Sequence, residues 1–128
     1  MIIISEHVLQ RLHDRLIEEY GGLPGMPDPG RISAILSRIE NALYYLGLSD
    51  EFEIAALYMV SIARGHIFND GNKRTALATA LFHLARNNII TRDDEEAERS
   101  HVELTVRAAT GEAELQEIAE HFRKYQAH

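Results

Sequence analysis

Apolar residues recur at intervals of three and four along most of this chain, which is the spacing of amphipathic helices. The pattern predicts six helices, the first beginning after the N-cap Ser5 and the others spanning residues 29–46, 51–64, 72–87, 94–109 and 112–125. Gly47 ends the second helix, and Asp50-x-x-Glu53 is a capping pattern for the third. Residues 89–91 leave room for one very short strand.

The third and fourth predicted helices are apolar on almost every side after their first turns. Helices of that kind are usually central and buried. We see no repeat, no low-complexity stretch and no second domain. The sequence therefore predicts an all-α fold in which residues 1–128 form a single domain, with the segment between the two most buried helices held rigidly.

A long loop separates the first two helices. Residues 21–30 hold all three prolines and four of the eight glycines, together with the apolar Leu23 and Met26. Loops this long and apolar are often functional, and this one is a candidate for positioning a nucleotide or a target. The alternative is a rigid corner that plugs the core with Leu23 and Met26.

Charge and cysteine content narrow the possible partners. The formal net charge is −7, so direct binding of nucleic acid by this chain alone is not expected. No apolar run approaches the roughly 20 residues of a membrane span. The absence of cysteine excludes disulfides and thiolate metal sites and fits a cytoplasmic location. The cations near residue 73 are thus a local feature on an acidic background.

Residues 66–75 form the most informative segment. Asn69-Asp70-Gly71 is typical of a turn, and a helical run begins near Asn72. The first turn of that helix carries Lys73 and Arg74, although a helix N-terminus already bears positive partial charge. Free amides and two cations at one point predict an anion site, and phosphate is the usual anion there. Surface cations without a ligand are the alternative.

The remaining residues of this segment have two interpretations each. His66 is a candidate general base, or a structural histidine like the six others, which lack metal-binding spacings and are expected to pack or lie at the surface. Asp70 is a candidate Mg²⁺ ligand, or a turn former and N-cap. Gly71 suits close approach of phosphate, or simply positive φ. Asn72 would orient the loop or a phosphate, or cap the helix.

Phe68 is expected to anchor the loop in the core, and Arg64 to close the preceding helix.

Residues 66–74 resemble the signature of the Fic/Doc superfamily, His-Pro-Phe-x-(Asp/Glu)-Gly-Asn-(Gly/Lys)-Arg. Only the proline position departs, where this chain has Ile67. The length, the helix order and the Gly-Gly-Leu-Pro-Gly loop resemble the Doc branch, the toxins of "death on curing" toxin–antitoxin pairs. The resemblance implies a compact helical Fic/Doc fold, a catalytic His66, a Mg²⁺ ligand in Asp70, and nucleotide binding by Gly71, Asn72, Lys73 and Arg74.

Two departures from the superfamily bear on the reaction. AMP-transferring members usually carry a second arginine three residues after the first, and this chain has Leu77 there, with Lys73 in place of glycine. Both features resemble the Doc branch, which implies a kinase that uses ATP and Mg²⁺ to phosphorylate a threonine of translation elongation factor Tu and so inhibits translation. Transfer of AMP or another nucleotide is the rival within enzymes.

The resemblance also bears on regulation. Many Fic proteins carry an inhibitory helix reading (Ser/Thr)-x-x-x-Glu-(Gly/Asn), and the near matches here fail at the last position. Control is therefore expected in trans, from a Phd-like antitoxin. The alternative from another class is a non-catalytic helical module that binds an antitoxin or an operator complex.

Overall fold

Six helices make up the computed structural model, which describes residues 4–127. Their bounds are α1 Glu6–Tyr20, α2 Gly30–Leu46, α3 Glu51–Gly65, α4 Asn72–Arg86, α5 Glu95–Thr110 and α6 Leu115–Lys124. The all-α prediction and the helix order are confirmed. Helix α6 begins at residue 115 instead of 112, because the amides of Glu112 and Ala113 bond back to the carbonyl of Arg107 and close α5.

The two predicted caps, Ser5 and Asp50, are present: their side chains accept hydrogen bonds from amides in the first turns of α1 and α3. Asp94, which was not predicted as a cap, does the same for α5. Glu53, the second member of the predicted capping pattern, instead accepts a hydrogen bond from Gln116 of α6 at 2.9 Å. A residue expected to act locally thus ties two helices together.

Helix α3 is the centre of the core. It packs against α2, α4, α5 and α6, and its pairing with α4 is the most extensive. Fully buried residues lie on all its sides, as expected of a helix with no polar face: Ile54, Ala55, Ala56, Tyr58, Met59 and Ile62. The segment that joins α3 to α4 is therefore anchored at both ends in the best-packed part of the molecule.

The predicted strand at residues 89–91 is wrong. In the described part of the chain, Thr91 forms one isolated antiparallel bridge with Gln126. The amide of Ala127 donates to the carbonyl of Ile90 at 2.7 Å, and that of Arg92 donates to Tyr125 at 2.8 Å. The extended residues lie against the end of α6, so their polar groups are satisfied without a sheet.

Between residues 4 and 127, no helix is both long and apolar enough to cross a membrane.

The histidines outside the 66–75 segment divide between core and surface, as predicted. His13, His83 and His101 are buried, His121 is half-buried and His7 is exposed; His128 lies outside the described residues. Nδ1 of His101 lies 2.8 Å from Nε2 of His121, between α5 and α6. Burial lowers the pKa of His121 to about 4 and also lowers the pKa of His101.

These pKa values predict that acid weakens the fold. Between pH 4 and the ordinary histidine value of 6.5, the unfolded chain binds more protons than the folded one. The free energy of unfolding should therefore fall as the pH drops from 6.5 to 4.5, by an amount on the order of 2 kcal/mol for His121, and stay level above pH 7. Urea unfolding at several pH values measures this dependence.

The matched variant is His121→Gln, which keeps a polar side chain that does not titrate. Its unfolding free energy should depend less steeply on pH over the same window. Part of the slope should remain, because burial also lowers the pKa values of His83 and His101. A slope identical to that of the unmodified protein would show that His121 is not responsible.

Candidate active site

The segment between α3 and α4 turns sharply outward and then inward. α3 ends at Gly65, and His66 follows in the left-handed conformation with φ +49°, its side chain exposed. Ile67 and Phe68 then enter the core, at 0% and 3% exposure. Phe68 is thus a core anchor, as predicted. The buried pair holds the exposed His66 on one side and the start of α4 on the other.

Asn72 clamps this segment. Its Oδ1 accepts a hydrogen bond from the amide of Phe68 at 3.0 Å, and its Nδ2 donates to the carbonyl of Phe68 at 2.9 Å. One side chain therefore satisfies both polar groups of a residue that the core withdraws from water. Of the roles predicted for Asn72, the structure shows that of orienting the loop.

The first turn of α4 is open to solvent and positively charged. Gly71 precedes it with φ +77°, and in the described part of the chain no side chain caps its amides. Lys73 and Arg74 are both exposed, and the guanidinium of Arg74 lies over the ring of Tyr20, 4.8 Å from its centroid. An uncapped helix start with two cations is complementary to an anion.

A cleft of about 440 Å³ opens in front of this turn. One wall is polar and the other is largely apolar and comes mainly from α5; the lining residues are Asn69, Asp70, Gly71, Asn72, Lys73, Arg74, Leu77, Val102, Thr105 and Val106. Five of the six predicted site residues therefore meet in one cleft. His66 does not line it and lies at the other end of the 66–71 loop.

Asp70 is held by backbone amides on both carboxylate oxygens. Oδ1 accepts from the amide of Gly71 at 2.8 Å, and Oδ2 accepts from the amide of Leu23 at 3.2 Å. The predicted turn-forming role is thus present. Among residues 4–127, no three acidic, histidine or cysteine side chains cluster as a metal site. A single carboxylate such as that of Asp70 is compatible with Mg²⁺, because this ion is usually bound by one or two carboxylates together with phosphates and water.

The loop at residues 21–30 braces the same segment. The side chain of Asn69 donates to the carbonyl of Pro24 at 2.9 Å, and its amide donates to the carbonyl of Gly25 at 3.0 Å. The alternative interpretation, in which Leu23 plugs the core, is wrong for this residue, since its side chain is 65% exposed. The backbone of Leu23 contacts the site instead, because its amide donates to Oδ2 of Asp70. Met26 does pack against the core.

One residue in contact with the site was not singled out from the sequence. His13 of α1 is 1% exposed, and its Nε2 lies 2.8 Å from the carbonyl oxygen of Asp70. Its ring stacks on Phe68, with centroids 3.7 Å apart and planes 4° from parallel. The sequence does contain one indication of this burial. His13 follows Leu9 by four residues, so both lie on the same, buried face of α1.

Arg64 has a structural role, as expected. Its Nε donates to the carbonyl of Ala108 at 2.7 Å and one terminal nitrogen donates to that of Ala113 at 3.1 Å. The guanidinium therefore joins the end of α3 to the last turn of α5 and to the connection between α5 and α6.

A helical protein that presents an exposed histidine, a fixed carboxylate and an uncapped, cationic helix start within nine residues is suited to phosphoryl or nucleotidyl transfer. The model of the Fic/DOC family matches residues 3–84, and the chain belongs to this family. It is 49% identical over 121 residues to "Protein kinase doc" of Escherichia phage P1, covering 94% of this chain and 93% of that protein. It is also 34% identical over 104 residues to "Toxin Doc" of Mycolicibacterium smegmatis, covering 78% of this chain and 77% of that protein.

Two adjacent glycines test how the 21–30 loop supports Asp70. Both have positive φ, +85° for Gly21 and +122° for Gly22, so alanine at either should cost about 1–2 kcal/mol of stability. A Cβ at Gly22 would lie 2.8 Å from Oδ2 of Asp70, whereas a Cβ at Gly21 would meet nothing within 4 Å. Only Gly22→Ala should displace the carboxylate and speed hydrogen exchange of the Leu23 amide, measured by NMR.

Gly21→Ala is the matched control, because it carries the backbone strain without the collision. Equal exchange rates at Leu23 in the two variants would mean that the loop does not hold Asp70.

Proposed function

We propose that this protein transfers the γ-phosphate of ATP to a serine or threonine hydroxyl of a translation factor, with elongation factor Tu as the expected target. Asp70 holds the Mg²⁺, while Gly71, Asn72, Lys73 and Arg74 form the phosphate side of the nucleotide site. His66 is the catalytic base.

Sequence similarity shows the general function, which is that of a toxin with kinase activity. One relative, 49% identical along almost the whole chain, is named a protein kinase, and another is named a toxin. The chain is accordingly a toxin of the Fic/DOC family with kinase activity. As a toxin it has an antitoxin as its partner. We propose in addition that the nucleotide is ATP, that the metal ion is Mg²⁺ and that the antitoxin is Phd-like.

The observation that carries the proposal is the uncapped, cationic first turn of α4 facing a cleft of about 440 Å³. Lys73 and Arg74 there are costly without an anion and favourable with one. Leu77 lines the same cleft one turn further along α4. An apolar side chain at that position leaves the cleft without a second guanidinium for an α-phosphate, which favours γ-phosphate transfer over AMP transfer.

The arrangement suggests how each residue contributes. The hydroxyl oxygen of the target forms a bond to the γ-phosphorus as the bond to the β-phosphate oxygen breaks, and His66 takes the hydroxyl proton. Lys73 and Arg74 offset the charge on the transferred group, and Arg74 can do so in bidentate fashion. Bound Mg²⁺ would neutralise phosphate charge next to Asp70. ADP is the leaving product.

Residues 1–128 act as one domain in the cytoplasm, and a Phd-like antitoxin controls it in trans. Direct nucleic-acid binding is not part of the function, in keeping with the net charge of −7. The 21–30 loop, which braces Asn69 and Asp70, helps to position nucleotide or target.

The decisive test is incubation of the purified protein with a bacterial translation extract, Mg²⁺ and ATP labelled at either the γ or the α position. We expect label on one extract protein from the γ position only. His66→Ala should lower the labelling rate by at least about 100-fold, because loss of a general base typically costs that much. Circular dichroism should show that the variant remains folded, since His66 is exposed.

His7→Ala is the control, because His7 is also an exposed histidine and lies on α1. It should label the target at the unmodified rate. Label from α-labelled ATP would establish nucleotide transfer instead. Growth arrest that survives His66→Ala in cells would favour the non-catalytic binding module. Because His66 sits at φ +49°, His66→Asn provides a second variant that tolerates this backbone conformation.

A further inference from the structure

We propose that His13 is a positioning residue of the active site, which fixes the peptide between Asp70 and Gly71 and thereby sets where the Asp70 carboxylate lies. The inference rests on the proposed function of Asp70. It concerns a residue 57 positions away in the sequence, on a helix outside the 66–75 segment.

The hydrogen bond from His13 has only one possible direction. Its Nε2 lies 2.8 Å from the carbonyl oxygen of Asp70, and a carbonyl can only accept, so Nε2 donates. The ring is 1% exposed, which excludes water as an easy replacement for this donor. Removing the donor would leave the Asp70 carbonyl without its partner.

The same ring fixes the loop from a second direction. It stacks on Phe68 at 3.7 Å, nearly parallel, and the backbone of Phe68 is itself clamped by Asn72. His13 therefore contacts the loop at two points two residues apart. A phenylalanine at this position would keep the stacking, and a glutamine would keep a donor at similar reach.

Peptide planarity carries the effect to the carboxylate. The carbonyl oxygen of Asp70 and the amide of Gly71 belong to one planar trans unit, so they point in opposite directions. With the carbonyl held inward by His13, the Gly71 amide is directed away from it, where it donates to Oδ1 of Asp70 at 2.8 Å. His13 thus orients the amide that orients the carboxylate.

The surroundings leave little freedom for another arrangement. A Cβ at Gly71 would lie 3.6 Å from His13 Nε2 and 3.3 Å from Cδ1 of Ile17, so α1 is packed directly beneath the turn. Rotation of the peptide would break the His13 bond and the Gly71–Asp70 bond together. The loss should therefore appear as weaker metal and nucleotide binding and not only as lower stability.

The test compares variants that remove either the donor or the ring. His13→Phe should weaken binding of Mg²⁺·ATP by about tenfold in calorimetry, lower kcat more than it raises KM for the target, and speed hydrogen exchange of the Gly71 amide. His13→Gln should recover most of the binding and of the Gly71 protection. His13→Asn, whose amide is too short to reach, should resemble His13→Phe and replaces it if that variant does not fold.

His83→Phe is the matched control, because it alters another buried histidine, which lies in the last turn of α4 and does not line the cleft. It should lower stability and leave Mg²⁺·ATP binding unchanged. Binding and Gly71 exchange in His13→Phe equal to those of the unmodified protein would overturn the proposal. Equal defects in His13→Gln and His13→Phe would do the same, because they would assign the effect to packing. Binding and exchange need no phosphate transfer, so they remain decisive even if the unmodified protein labels no target.

Discussion

The structure depends on one constraint, the burial of Ile67 and Phe68 in the turn between α3 and α4. Apolar side chains at this point lock the turn into the core, but they also carry backbone amides and carbonyls away from water. Asn72 satisfies both polar groups of Phe68, and His13 supplies a donor to Asp70. The site geometry follows from how these buried backbone groups are satisfied.

The buried backbone groups of the α3–α4 turn are paired within the protein, so its solvent-facing side remains available to a ligand. Lys73 and Arg74 begin a helix where acidic residues would be more stabilising, so the resting protein retains an electrostatic mismatch that an anion relieves. A local conflict of this kind is characteristic of functional sites, where the rest of the sequence agrees with the fold. The apolar pairing of α3 with α4 tolerates it, because the cost of two exposed cations is small beside the burial of two helices.

Helix α1 is the second support of the site. It supplies His13 beneath the turn and leads into the 21–30 loop. In that loop the backbone amide of Leu23 donates a hydrogen bond to Oδ2 of Asp70. Gly22 passes so close to that oxygen that a side chain there would collide with it. A single carboxylate is therefore positioned by three separate stretches of the chain, which explains how one acidic residue can be placed accurately although residues 4–127 form no acidic cluster around it.

The sequence alone determined the helices, the caps at Ser5 and Asp50 and the cationic start of α4, because these depend on periodicity and on neighbours within one turn. Their outcome agrees with the structure, apart from the start of α6. Only the tertiary structure decided that Leu23 faces solvent, that Thr91 forms one bridge and that His13 lies under Asp70. These features depend on contacts between residues 35 to 57 positions apart, and such contacts leave no periodic trace in the chain.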